Sequence, residues 1–168
     1  EISADRESRK GPVELRIIDK PLRVLLVASG PMRDYQFVRT LLVRETEKKR
    51  AELSILLQNP PGRTDRRLGV VQDIPPERLL SRFPDQYDSN NPDPAEKIYD
   101  LASYDAIIAF DPDWKQVNDA SMKLLRTWVE KGGGLIVVAG PLHTLELARP
   151  GQERERLKPV LDLYPVVL

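Results

Sequence analysis

The stretch LRVLLVASGP, residues 22–31, decides the fold. It is a near-continuous aliphatic run that closes on the small residues Ala28, Ser29 and Gly30. A strand with one wet face alternates apolar and polar residues; a strand buried on both faces of a parallel sheet does not, and this run does not. Gly30 and Pro31 stop it. Immediately downstream, DYQFVRTLLVRETEKKR places Tyr35, Val38, Leu41 and Leu42 at helical spacing. Asp34 stands near the start and Lys48, Lys49 and Arg50 at the end, the sense a helix dipole favours. AELSILLQ, residues 51–58, reads as the next strand. The three segments form a β-α-β unit with a right-handed crossover.

Further along, residues 59–93 crowd prolines and turn formers, broken by a predicted short helix over 77–83. The tip of this insertion, RTDRR at 63–67, is the best local basic cluster; a solvated loop face is the simpler reading and an anion or partner site the sharper one. Asp93 and Pro94 predict an N-cap and first turn for a helix through residue 104, with Ile98, Leu101 and Ala102 inward. YDAIIAFD, residues 104–111, is again a buried strand. Asn118 is a cap for a helix in which Leu124, Leu125, Trp128 and Val129 share a face, ended by Lys131 and the glycines at 132–134. LIVVAG, residues 135–140, is the fourth buried strand. The order predicts an α/β domain: an open, mostly parallel, flavodoxin-like sheet with helices on both faces.

Upstream, residues 1–11 are polar, and PVELRIID, residues 12–19, alternates imperfectly like a strand with one solvated face. The expected division is a linker or end strand of a preceding β-domain over 1–20 and the α/β domain over 21–168. A start with neither Met nor a signal-like segment reads as a fragment of a longer protein. The whole chain is 168 residues, 40% hydrophobic and 31% charged, an ordinary globular composition. Its 26 basic and 26 acidic side chains cancel, so no bulk field recruits nucleic acid or anionic lipid. No apolar stretch approaches the ~20 residues of a membrane span. The absence of cysteine excludes disulfides, thiolate metal sites and a cysteine nucleophile. With one histidine, His143, a multi-histidine zinc site is excluded as well. The sequence calls for no metal and no cofactor.

Ligands of open α/β sheets bind beyond the carboxyl ends of the strands. That places the candidates at Ser29, Gly30, Pro31 and Arg33, at Asp111 and Asp113, and at residues 140–144. Backbone amides of ASGPMR suit a small anion, although GxGxxG and GxxxxGK[ST] are both absent and a tight strand-to-helix turn is the simpler reading. Asp111 and Asp113 in FDPDW are spaced to approach one Mg²⁺, or to make a turn and a helix cap, the simpler reading. His143 stands where a general base acts, with Ser29 and Thr144 as candidate nucleophiles and Asp111, Asp113 or Glu146 as orienters; a hydrogen-bonded structural histidine is the simpler reading, and no G-x-S-x-G is present. Trp128 falls on an inward helical face, whereas Trp114 lies in a loop by the strand ends as a candidate ligand platform or partner anchor.

RVLLVASGPMRDYQFVRTLLVRE, SILLQ, YDAIIAFDPD and LLRTWVEKGGGLIVVAGPLH, in that order, resemble the class I glutamine amidotransferase-like domains of large bacterial envelope proteins that also carry von Willebrand factor A modules and membrane helices. The resemblance runs from about residue 15 to 168. Active relatives in that family display a nucleophilic cysteine at an elbow after a buried strand, completed by a histidine and a glutamate. The elbow falls here on Ala139, Gly140 and Pro141, with Gly140 nearest the nucleophile position. His143 matches a histidine that follows the elbow and is not the triad base. The resemblance therefore implies the fold and denies the reaction. It further implies a binding or interaction module whose partners are other domains of its parent chain or envelope proteins. The parent is expected to be membrane-anchored, with the periplasmic side favoured, and residues 1–19 to be the last edge of an upstream β-sandwich. A hydrolase using Ser29 or Thr144 near His143, and a phosphate- or nucleotide-binding site at residues 29–33, are the alternatives.

Overall fold

A computed structural model of the chain describes residues 20–30, 32–58, 73–89, 93–147, 149, 151 and 153–165. The sequence readings at residues 1–19, Pro31 and the RTDRR cluster lie outside the described residues. In chain order the elements are β1 (Leu22–Ala28), α1 (Arg33–Glu47), β2 (Ala51–Leu57), β3 (Leu79–Leu80), α2 (Pro94–Lys97), β4 (Ala106–Phe110), α3 (Asp119–Glu130), β5 (Gly134–Val138), α4 (His143–Leu147) and α5 (Glu153–Leu161), with 3₁₀ turns at Pro76–Arg78, Leu101–Ser103 and Trp114–Gln116.

The five strands are all parallel and lie in the order β3-β2-β1-β4-β5. The four longer ones reproduce the flavodoxin-like arrangement, in which the chain reverses direction across the sheet between the first strand and the third long one. The two faces of β1 show why its sequence does not alternate. Val24, Leu26 and Ala28 pack with Tyr35 of α1, Leu53, Ile55 and Phe110. Leu25 and Val27 pack on the opposite side with Ile107, Ala109, Met122, Leu125 and Trp128. Tyr35 meets Phe110 edge-on at 5.6 Å between ring centres, and burial pushes its hydroxyl pKa up to about 12. Among the described residues no helix is long and apolar enough to cross a membrane.

Capping follows the sequence closely. Asn118 Oδ1 accepts from Ser121 N at 2.7 Å, and Asp93 Oδ1 from Ala95 N at 2.9 Å. Gly132, just past α3, takes the left-handed φ of +100°. Gly133 serves a different need: a Cβ there would lie 2.3 Å from the Trp128 ring. Gly133→Ala is therefore expected to destabilise the domain by about 2 kcal/mol through overpacking, read as a lower urea midpoint at unchanged slope.

Three expectations are corrected. The helix over 77–83 is instead the turn Pro76–Arg78 followed by β3, because Leu79 and Leu80 pair with Ile55 and Leu56 of β2. The helix expected through residue 104 ends at Lys97. Asp100 ends it: its buried carboxylate accepts from the amides of Asp88, Ser89 and Ala102 and from the Ser89 hydroxyl, so it caps a separate turn and ties down the preceding loop. LIVVAG, expected as a buried strand, is instead the edge strand β5, with Ile136 53% exposed, because among the described residues only β4 pairs with it. In α1 the inward stripe is Tyr35, Val38, Leu42 and Val43, and Leu41 is exposed.

Candidate functional site

The carboxyl ends of β1, β4 and β5 bring Ser29, Asp111 and Gly140–Thr144 into one cluster, the place that topology favours for a site. Its centre is Asp111. The residue leaves β4 with φ +43°, a left-handed conformation that aspartate tolerates better than most residues, and it is 2% exposed. Its backbone amide continues the sheet by donating to Val138 O at 2.9 Å. That twist sends the carboxylate across the end of β5 to the start of α4. Oδ1 accepts from Thr144 N at 2.8 Å and Thr144 Oγ1 at 2.9 Å; Oδ2 accepts from Leu142 N at 3.0 Å and His143 N at 3.3 Å.

Burial alone would raise the pKa of Asp111, but the Thr144 amide and hydroxyl and the Leu142 and His143 amides outweigh it and hold the carboxyl below its ordinary range. An anion so well solvated by donors is a poor base. Its role is to cap α4 and tie it to the end of β4.

Gly140 sits directly beneath this carboxylate. A Cβ on Gly140 would lie 2.3 Å from both Cβ and Cγ of Asp111 and 2.6 Å from Oδ2. Its amide donates to Thr144 Oγ1 at 3.1 Å. The Thr144 hydroxyl thus accepts from one backbone amide and donates to Asp111. Ala139 and Pro141 on either side are exposed.

On the other flank, Ser29 N donates to Phe110 O at 3.4 Å and Ser29 Oγ donates to Asp111 O, tying the ends of β1 and β4 together. Gly30 has open space where a side chain would stand, and Arg33 is the exposed first residue of α1. Met32, at the N-cap of α1, makes no side-chain cap.

Asp113 takes the turn-and-cap reading. Its carboxylate accepts from Lys115 N at 3.1 Å and Gln116 Nε2 at 2.9 Å. Asp111 and Asp113 aim at different partners, and the described residues contain no cluster of three or more acidic or histidine side chains able to hold a metal ion.

Trp114 is corrected from a platform to a core residue. It is 1% exposed, donates Nε1–H to Tyr164 Oη at 3.0 Å and meets Phe83 edge-on. The Trp114–Gln116 turn folds the ring inward onto the α3/α5 side of the sheet.

His143, the first residue of α4, keeps Nδ1 buried without a hydrogen-bond partner, 3.9 Å from Asp113 Oδ1 and 4.0 Å from Glu146 Oε2. Glu146 is engaged by Lys115 Nζ at 2.9 Å, which holds the Glu146 pKa down and the Lys115 pKa up.

Sequence reasoning missed Gln58. This buried side chain spans from the end of β2 to the loop after β4, its Nε2 donating to Asp113 O and its Oε1 accepting from Asp113 N, both at 2.8 Å. The signal was a polar residue closing an otherwise apolar strand in SILLQ. The capping role of Thr144 was also missed; a hydroxyl at the start of a short helix was its only mark.

Fold and rim together define a doubly wound parallel α/β domain whose strand ends are joined by side chain-to-backbone bonds. Comparison with protein-family models, with curated proteins and with solved structures finds no match in any of the three.

Proposed function

We propose that this chain is a non-catalytic, amidotransferase-like α/β module that works by binding other domains of its parent protein or envelope proteins, within a larger bacterial, membrane-anchored assembly. One observation carries the reading. At the strand end where the resemblance puts a nucleophile, the chain has Gly140, and the volume a side chain would need is filled by Asp111. The neighbouring groups support it. The Thr144 and Ser29 hydroxyls are held in bonds to Asp111, and the carboxylate that holds Thr144 is depressed in basicity. A base that activates a hydroxyl needs it within about 3.2 Å. The His143 Nδ1 atom has no such partner.

The test is ammonia release from glutamine by the purified chain. The expected rate equals that of buffer, and the same rate is expected for His143→Ala. Turnover that His143→Ala abolishes overturns the reading.

A further inference from the structure

The outer face of α1 carries two large apolar side chains that the core does not use. Phe37 is 68% exposed and Leu41 47%, while Tyr35, Val38, Leu42 and Val43 face the sheet. Exposed apolar residues are ordinary when they stand alone on a polar surface. These two stand in a line of cations. At 3.6 residues per turn, Arg33, Leu41, Arg44 and Lys48 fall within about 40° of Phe37 around the helix axis. The acids of the same segment, Asp34, Glu45 and Glu47, fall about 60–80° away, so the stripe itself holds only cations and apolar side chains. It runs about 22 Å along the helix.

The bordering acids do not neutralise it. Glu45 is shared by Arg44 at 4.0 Å, Lys48 at 2.9 Å and Arg50 at 3.4 Å, so one carboxylate answers three cations. Arg33 forms no ion pair with any described residue. Beyond the helix, Leu22 N donates to Arg50 O at 2.9 Å, and Leu22, 49% exposed, lies on the α1 side of the sheet with Val24 and Leu26. An apolar side chain beside a cation thus continues the same surface past the end of α1.

We propose that this face rests on an anionic lipid surface, with Phe37 and Leu41 entering the boundary between headgroups and acyl chains and Arg33, Arg44 and Lys48 meeting the headgroup phosphates. The pattern selects that occupant. A protein interface of ordinary size takes about 800 Å² from each partner around an apolar core. A stripe one residue wide, bordered by Asp34, Glu45 and Glu47, has no such core. Nucleic acid is held by phosphates against basic groups, and the outward Phe37 and Leu41 would hold its backbone off the cations between them. Lipid takes both kinds of side chain at once. Each Lys or Arg beside an anionic leaflet strengthens binding about fivefold, while its apolar stem lies along the boundary that the ring enters. The 26 basic and 26 acidic side chains of the whole chain cancel, so the attraction is local and salt screens it.

The inference goes beyond the module reading, and the glutamine assay and a lipid assay fail separately. The full chain is co-sedimented with vesicles of phosphatidylcholine containing about 30% phosphatidylglycerol, and with vesicles of phosphatidylcholine alone, at up to about 2 mM lipid. Binding to the anionic vesicles is expected to be at least about tenfold tighter than to the neutral ones. Raising salt from about 0.05 to about 0.3 M should weaken it at least threefold. Phe37→Ser and Arg44→Glu, both at exposed positions, are each expected to weaken it at least about tenfold with unchanged far-UV circular dichroism. No binding to the anionic vesicles overturns the proposal, as does equal binding to the neutral ones. Binding that either folded variant leaves intact also overturns it; insensitivity at Phe37 would mean that charge alone holds the chain, the contact an acidic protein would make.

Discussion

Gly140→Cys is expected to yield a destabilised protein that still releases no ammonia from glutamine. The cost comes from geometry. A new Cβ would stand 2.3 Å from Asp111 Cβ, an atom whose place is set by backbone and not by rotamer. Swinging the carboxylate aside leaves that contact in place, so the turn at Asp111 or the end of β5 must move. Such a movement strains the four hydrogen bonds that start α4. We expect a loss of about 3–4 kcal/mol, a large part of the ~5–15 kcal/mol of a typical domain. For a chain of this size that lowers Tm by roughly 10 °C. Gly30→Ala, at a glycine with nothing within 4 Å of the added carbon, is the control and should shift Tm little. Asp111→Gly removes the obstructing atom and suits the positive φ, so in that background Gly140→Ala should cost under about 1 kcal/mol. Equal costs of Gly140→Ala in both backgrounds would show that the clash is not the cause.

How much of this was legible in the sequence depends on the range over which each residue acts. LRVLLVASGP reads correctly as a buried strand because residues Val24 to Ala28 lie in a sheet covered on both faces, each 2% exposed or less; LIVVAG reads correctly as a strand but not as a buried one, since β5 lies at the sheet edge with Ile136 53% exposed. Asn118, Asp93 and Gly132 read correctly because a cap acts within three residues. Asp111 was placed at the right end of the right strand, yet its partners are 31 to 33 residues away across a strand pairing, and spacing carries no trace of them. Gln58 reaches 55 residues to Asp113 and is opaque for the same reason. Trp114 is misleading in sequence because a loop position suggests exposure, whereas a single 3₁₀ turn rotates the ring into the core. β3 was missed because two residues carry no period at all; only its register with β2 makes it a strand.

Asp111→Ala should be the most damaging single change on the rim. It leaves the amides of Leu142, His143 and Thr144 and the Thr144 hydroxyl without their acceptor, and it puts alanine at a φ of +43°. Unmet donors cost about 1–3 kcal/mol apiece when no water reaches them, and the left-handed backbone about 1 kcal/mol more for alanine than for glycine. Partial access of water to the start of α4 brings the expected total to about 3–5 kcal/mol. Asp111→Asn separates charge from shape, since asparagine tolerates the same φ and keeps one acceptor oxygen. The folded pKa of Asp111 lies below the ~3.9 of an unfolded aspartate, so in the interval between them the unfolded chain binds more protons and stability rises with pH. The contribution is complete above about pH 4–5 and is lost as the pH falls through the folded value. Asp105, held down by Arg23 and Lys20, and Asp100, whose amide partners outweigh its burial, act in the same direction over the same range. Urea midpoints of the parent chain should therefore be level near neutrality and fall below about pH 4, and those of Asp111→Asn should start lower and fall less steeply. If the two curves run parallel down to pH 2, the carboxylate of Asp111 is not what holds α4 to the end of β5.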